Sequence, residues 1–260
     1  MTLADAHARI LADPHGDAPR LAYADLVEAT VPEHAWLIRE QVQYVRDRAA
    51  GVDWPPRRTT TMYSRSRKLM WRLVPDGVRD LLNDGFEVRR GFIESVTLPV
   101  AALPAALSRL VAALPLRRLR LTRATPAALI GLAGVADLLP GLGQLRGLSL
   151  EHEPIGDAGL AGLPPLPQLR WLDLTGTDVT AAGLEALAAS PHFPALRFVR
   201  ADRELGLNPE PAYDWDGTPV WVDEAPLAAV LGARYDRPWL HRGTVDVRDA
   251  GYVGPNYDEV

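Results

Sequence analysis

No cysteine occurs in the 260 residues, which excludes a disulfide framework, a thiolate metal site and a cysteine nucleophile. No apolar run approaches membrane-spanning length, and the opening Met1-Thr-Leu-Ala-Asp-Ala-His-Ala-Arg-Ile10 lacks a basic-then-apolar signal. A cytoplasmic protein without membrane association is expected. Nucleotide- and hydrolase-type signatures are missing as well: there is no His-Glu-x-x-His, no glycine-lysine phosphate loop and no Gly-x-Ser-x-Gly elbow. The six histidines are scattered. Their one metal-like setting, Glu151-His152-Glu153, alternates in direction along a strand end and does not converge on an ion. Expected, therefore, is a non-enzyme without cofactor or metal. An excess of positive charge is also lacking: the net charge is −5, which argues against nucleic acid as the general partner.

Charge is distributed unevenly. Residues 205–260 carry ten acids and four arginines, whereas residues 1–204 carry 23 acids and 24 bases. The acidity therefore lies in the tail. Arg57, Arg58, Arg65, Arg67, Lys68 and Arg72 fall in a stretch, 57–72, that holds no acid. Such a stretch is either a solvated face, a patch meeting the protein's own acids, or a contact for a partner. Hydrophobic residues make up 47% and charged residues 23%, a balance that places the chain among folded globular proteins.

What the sequence has in abundance is a ladder of apolar residues. Its clearest rung reads Leu166-Pro-Gln-Leu169-Arg-Trp-Leu172-Asp-Leu174, and the rung before it reads Leu142-Gly-Gln-Leu145-Arg-Gly-Leu148-Ser-Leu150. Flanking rungs are Ile93-Glu-Ser-Val96-Thr-Leu98, Leu116-Arg-Arg-Leu119-Arg-Leu121 and Phe193-Pro-Ala-Leu196-Arg-Phe-Val199-Arg-Ala201. With Val96, Leu119, Leu148, Leu172 and Val199 as equivalents, the steps are 23, 29, 24 and 27 residues. Two rungs share a sequel, Ile155-Gly-Asp-Ala-Gly-Leu160 and Val179-Thr-Ala-Ala-Gly-Leu184. Units of this length bury their apolar edges by stacking on one another, as a solenoid does.

Alternation along each rung assigns the faces. Leu172 and Leu174 turn to the core, so Trp171 and Asp173 turn to the opposite strand face. The same register puts Arg118 and Arg120, Glu151, and Phe198 and Arg200 on that face. These seven residues form the expected partner-binding set. Trp171 and Phe198 fall on adjacent rungs and make either an aromatic anchor or a surface covered by the C-terminal segment. Between rungs, Thr125-Pro126 and Thr180 mark helix starts.

The run Leu172-Asp-Leu-Thr-Gly-Thr-Asp-Val-Thr-Ala-Ala-Gly-Leu184 resembles the leucine-rich repeats of bacterial and ribonuclease-inhibitor-like proteins. The resemblance covers about residues 88–204. It implies an α/β leucine-rich-repeat solenoid, short parallel strands plus helices, with the strands on a concave side that binds a protein partner.

Residues 1–50 read as three helices. Leu3, His7, Ile10 and Leu11 follow helical spacing, and Asp13-Pro14-His15-Gly16 breaks the chain. Pro19 and Pro32 occupy first-turn positions of the next two. Ile10-Leu-Ala-Asp-Pro-His-Gly-Asp-Ala-Pro-Arg-Leu-Ala-Tyr-Ala-Asp-Leu26 with Ala35-Trp-Leu-Ile-Arg-Glu-Gln41 resembles the bacterial repeat-companion domain, a short unit found ahead of repeats. The match implies a helical cap on the repeats, and it departs from the family after Tyr23-Ala-Asp25, where Leu26 stands for the usual tryptophan. Asp17, Arg20, Tyr23 and Asp25 are read as structural ties between helices.

Residues 51–87 form a linker or helical cap, irregular over Trp54 to Thr61 and helical from Lys68 to Leu82 except where Pro75 interrupts. Residues 205–260 form an acidic, aromatic extension, irregular apart from Ala225 to Leu231. It holds seven of the chain's 18 aromatic residues, so it is expected to be ordered, either capping the repeats or carrying a recognition element. The functional expectation is a non-enzymatic protein-binding module. The alternative is a scaffold or regulatory subunit of a larger bacterial complex, such as a defence complex, contacting partners through 57–72 or the tail.

Overall fold

The computed structural model describes residues 1–133, 139–201, 212–213, 219–220 and 227–237. The chain divides into two compact units, one comprising Met1–Leu98 with Ala102–Leu119, the other Pro99–Ala101 with the chain from Arg120 onward. It is an α/β protein. Six strands form a mostly parallel sheet in chain order: β1 (Phe86–Arg89), β2 (Phe92–Pro99), β3 (Arg118–Thr122), β4 (Gly147–Ser149), β5 (Trp171–Asp173) and β6 (Phe198–Arg200). A second, two-stranded sheet pairs β7 (Ala212–Tyr213) with β8 (Pro219–Val220).

In the first unit the three expected helices are present: α1 (Leu3–Ala12), α2 (Ala18–Val27) and α3 (Pro32–Ala49). Thr2 caps α1 by accepting from the Asp5 N–H, while the Asp5 carboxylate accepts from the Thr2 N–H, two orphan donors satisfied reciprocally. Ile10, Ala24, Val27, Ala35, Ile38, Val42 and Phe92 form one buried cluster, so the helices close on a strand residue and not only on each other.

The hairpin of β1 and β2 explains that closure. Arg89 pairs with Phe92, leaving Arg90 and Gly91 as a two-residue turn with φ of 46° and 81°. Both dihedrals are left-handed, the turn geometry that suits the right-handed twist of a hairpin. A Cβ at Gly91 would stand 2.1 Å from Ile38 Cγ1, so glycine is required there by space as well as by φ. Gln41 accepts from the Gly91 N–H at 2.7 Å and donates to the Val88 carbonyl, and His34 Nε2 donates to the Gly91 carbonyl at 2.8 Å. Helix α3 thus holds the turn through three side-chain bonds. Strand β1 has no signal in the sequence: its four residues carry no repeat of the ladder.

Two further helices, α4 (Pro56–Leu73) and α5 (Asp76–Arg79), lead to the hairpin, and α6 (Leu103–Ala113) follows β2. Helix α4 begins within the stretch expected to be irregular. Pro56 needs no N–H partner in a first turn, and Met62, Ser66, Leu69 and Met70 give the helix a buried stripe. Its end before Pro75 is as the sequence implies, Leu73 being its last residue.

In the second unit β4, β5 and β6 are parallel and in register. Leu148 pairs with Leu172 and Leu172 with Val199, the three positions aligned as equivalents in the sequence. All three are at most 4% exposed, so the row forms core. Arg123, His152 and Gly176 have φ of 54°, 64° and 66°. They are 29 and 24 residues apart, the steps of the leucine ladder, so three consecutive strands are followed by the same left-handed turn residue.

The helices here are α7 (Pro126–Ala133), α8 (Leu139–Gly143), α9 (Gly156–Ala161), α10 (Ala181–Ala189) and α11 (Leu227–Gly232). Thr125 accepts from the Ala128 N–H and Thr180 from the Ala182 N–H, the two caps expected. The shared Ala-Gly-Leu of α9 and α10 has a packing reason. A Cβ at Gly159 would lie 2.8 Å from Ile155 Cβ and 3.3 Å from Pro126 Cα, and one at Gly183 would lie 2.1 Å from Asp157 Oδ1. Each glycine leaves room that a larger residue at that step would fill.

Candidate functional site

The described residues offer two surfaces: the strand face of the ladder and the basic face of α4. On the strand face, the register places Trp171 directly beside Phe198 and Asp173 beside Arg200. Arg200 stands 3.6 Å from Asp173, and Arg120 stands 3.3 Å from Glu151. Two cation–carboxylate pairs therefore lie along the face. Burial pushes the Asp173 carboxyl up, against the Thr175 N–H and hydroxyl, which donate to it at 3.0 and 2.8 Å, and against Arg200.

Not every expected member of this face is accessible. Arg118, Trp171 and Asp173 are buried at 3–5% exposure, whereas Glu151 and Phe198 are half-buried and Arg120 and Arg200 are exposed. Alternation decides which side of a sheet a residue occupies; it does not decide whether other parts of the chain cover that side. Arg118 lies in the first unit, 3.9 Å from the Glu87 carboxylate.

The second surface is α4. Arg58 is held by Glu40 at 2.6 Å and lies 3.4 Å from the Trp54 ring centroid, and Arg72 is held by Glu33 at 2.8 Å. Part of the basic stretch thus meets the protein's own acids. Arg57, Arg65, Arg67 and Lys68 have no carboxylate partner among the described residues. Beside them an open groove of about 640 Å³ is lined by Arg67, Lys68, Trp71, Arg72, Leu82 and Phe86, with Ser64 and Asn83 at its edge. Trp71 stacks on Phe86 at 5.9 Å and 10°, and remains 39% exposed. Composition identified the charge; the apolar floor, assembled from helix, turn and strand, had no sequence signal.

The polar residues of the N-terminal motif serve packing. Arg20, fully buried, donates to the Gly16 and Pro14 carbonyls and to Glu94 at 2.6 Å. Glu94 is also 3.0 Å from Arg90 and 3.3 Å from Arg117, both buried. Burial lowers the proton affinity of Arg20, opposed by Glu94 and reinforced by Arg90 and Arg117. Asp17 meets Arg46 at 3.1 Å, and Asp25 meets Arg39 at 2.8 Å. These contacts tie helix to helix and helix to hairpin.

Glu153 accepts from the Ala124 N–H at 2.7 Å, away from the His152–Glu151 contact of 3.8 Å. Among the described residues no three His, Asp or Glu side chains group as metal ligands. No described helix is long and apolar enough to cross a membrane. The described part of the C-terminal extension packs on α10: Arg234 and the Tyr235 hydroxyl reach Glu185 at 2.8 and 3.3 Å, and Arg237 donates to the Ala188 and Ser190 carbonyls. Trp215, Trp221, Trp239, Tyr252 and Tyr257 of that extension lie outside the described residues. No protein-family model matches the chain, and no curated protein is similar to it.

Proposed function

We propose that the chain is a non-enzymatic protein-binding module, a leucine-rich-repeat solenoid that presents its strand face to a protein partner. The observation that carries this reading is the in-register row of β4, β5 and β6, which sets Phe198 and Arg200 side by side next to Trp171 and Asp173. The recurring left-handed turn residue and the recurring helix glycine support the repeat architecture. Aromatic and arginine side chains are the residue types that concentrate binding energy. Arg120, Glu151, Phe198 and Arg200 make the contact, with the buried Trp171 and Asp173 beside Phe198 and Arg200 in the same rows. The cation–carboxylate pairs give the face charge of both signs, which selects a protein surface of complementary pattern over a polyanion.

The test compares the wild-type chain with Phe198→Ala/Arg200→Glu in affinity capture from native-host lysate, read by mass spectrometry. Loss of a partner by a variant with unchanged melting supports the strand face. Equal capture by both forms overturns it.

The four cations of α4 without a carboxylate partner among the described residues favour a second reading, in which the chain is a scaffold or regulatory subunit of a larger bacterial assembly and α4 is a docking element.

A further inference from the structure

We propose that the groove between α4 and β1 binds an acidic peptide segment of a partner protein, anchored by one apolar side chain. The inference takes up the second reading above and stands independently of the strand-face one. It rests on the joining of two features in one place. The floor is apolar: Trp71, Leu82 and Phe86, with Trp71 exposed enough to receive a side chain. The rim is cationic: Arg67 and Lys68 have no carboxylate of their own among the described residues, while Arg72 is tied to Glu33. Arg65, on the same helix, lies 5.8 Å from the ring of the exposed Trp36 and continues the cationic track.

Charge complementarity decides the occupant. Residues 1–119 hold 17 bases and 14 acids, whereas the rest of the chain holds 11 and 19, so the groove sits in the one net-positive part of the protein. A neutral apolar peptide leaves the rim cations uncompensated, and a free anion leaves the apolar floor wet. An acidic segment with a leucine or phenylalanine satisfies both. A single-stranded nucleic acid would also offer anions and rings, but a basic track that follows such a backbone needs an unbroken run of free cations. Here Arg58 and Arg72 are already neutralised by Glu40 and Glu33.

The experiment measures fluorescence polarisation of a labelled twelve-residue peptide of glutamate and aspartate with a central phenylalanine, against the full chain. Three probes stand beside it: the same peptide with glutamine and asparagine for the acids, the acidic peptide with serine for phenylalanine, and a twelve-nucleotide oligouridine. The proposal expects the acidic peptide to bind at least about tenfold tighter than each of the other three. Arg67→Glu/Lys68→Glu and Trp71→Ala should each weaken it at least about tenfold at unchanged melting temperature. Phe198→Ala/Arg200→Glu should leave it unchanged, which separates this site from the strand face. No binding up to about 1 mM, equal binding of the acidic and neutralised peptides, tighter binding of oligouridine, or indifference to the α4 substitutions overturns the proposal.

Discussion

Glu94→Gln should be among the most damaging single conservative substitutions in the first unit. The Glu94 carboxylate is fully buried and lies 2.6 Å from Arg20, 3.0 Å from Arg90 and 3.3 Å from Arg117, each at most 4% exposed. Glutamine keeps the volume and one acceptor oxygen but removes the buried charge that three guanidinium groups share, of which Arg90 also meets Asp17 at 3.4 Å. Breaking a buried pair from one side costs roughly 3–5 kcal/mol, because the partner stays in place uncompensated. The Pro14, His15 and Gly16 carbonyls take other donors of Arg20 and Arg90, which keeps the cost from multiplying with the number of arginines. At roughly 2–4 °C per kcal/mol for a chain of this size, the melting temperature should fall by on the order of 10 °C. Urea unfolding and a thermal scan, both followed by circular dichroism, measure the cost and the shift. Arg39→Ala is the control: Arg39 bridges Asp25 and Glu28 at 2.8 and 2.9 Å on the surface, and solvent screening keeps such pairs below about 1 kcal/mol. If Glu94→Gln costs no more than Arg39→Ala, the buried cluster is not what fastens the hairpin to the helices.

Three other outcomes follow from the same geometry. Gly91→Ala should cost roughly 2–5 kcal/mol, combining a left-handed φ with a Cβ driven into Ile38; a cost under 1 kcal/mol in the same urea assay would show that the turn rearranges freely. Burial holds His34 below the ordinary histidine value of 6.5, and His7 shifts the same way. The folded state therefore binds fewer protons than the unfolded one, so stability is full above that value and is lost as pH falls through the folded values. Melting temperatures measured downward from pH 7 should decline, and His34→Gln should flatten part of the decline. Thr180→Ala should cost about 1–2 kcal/mol by removing the α10 cap, and its hydroxyl bond to Asp157 at 2.7 Å, while Thr180→Ser retains most of it.

The ladder, the caps of α7 and α10 and the three N-terminal helices are all legible in the residues. They are local patterns: spacing of apolar positions, a threonine before a helix, a proline in a first turn. Such signals depend on a residue's near neighbours, which the chain itself supplies. The equivalence of Leu148, Leu172 and Val199 is legible for the same reason, and the three positions pair in register. Other features depended on pairings between distant segments. The role of Arg20 needs Glu94, 74 residues away, and the need for glycine at position 91 comes from Ile38 across the helix–hairpin contact. Likewise the burial of Trp171 and Asp173 is decided by what covers the strand face, not by the alternation that places them on it. The α4 groove joins residues 64–72 to residues 82–86, so its cations were visible in composition while its apolar floor arose only where helix and strand meet. Periodicity determined the elements and their repeat; close packing between remote residues decided which polar side chains are buried, which are paired and which remain open to a partner.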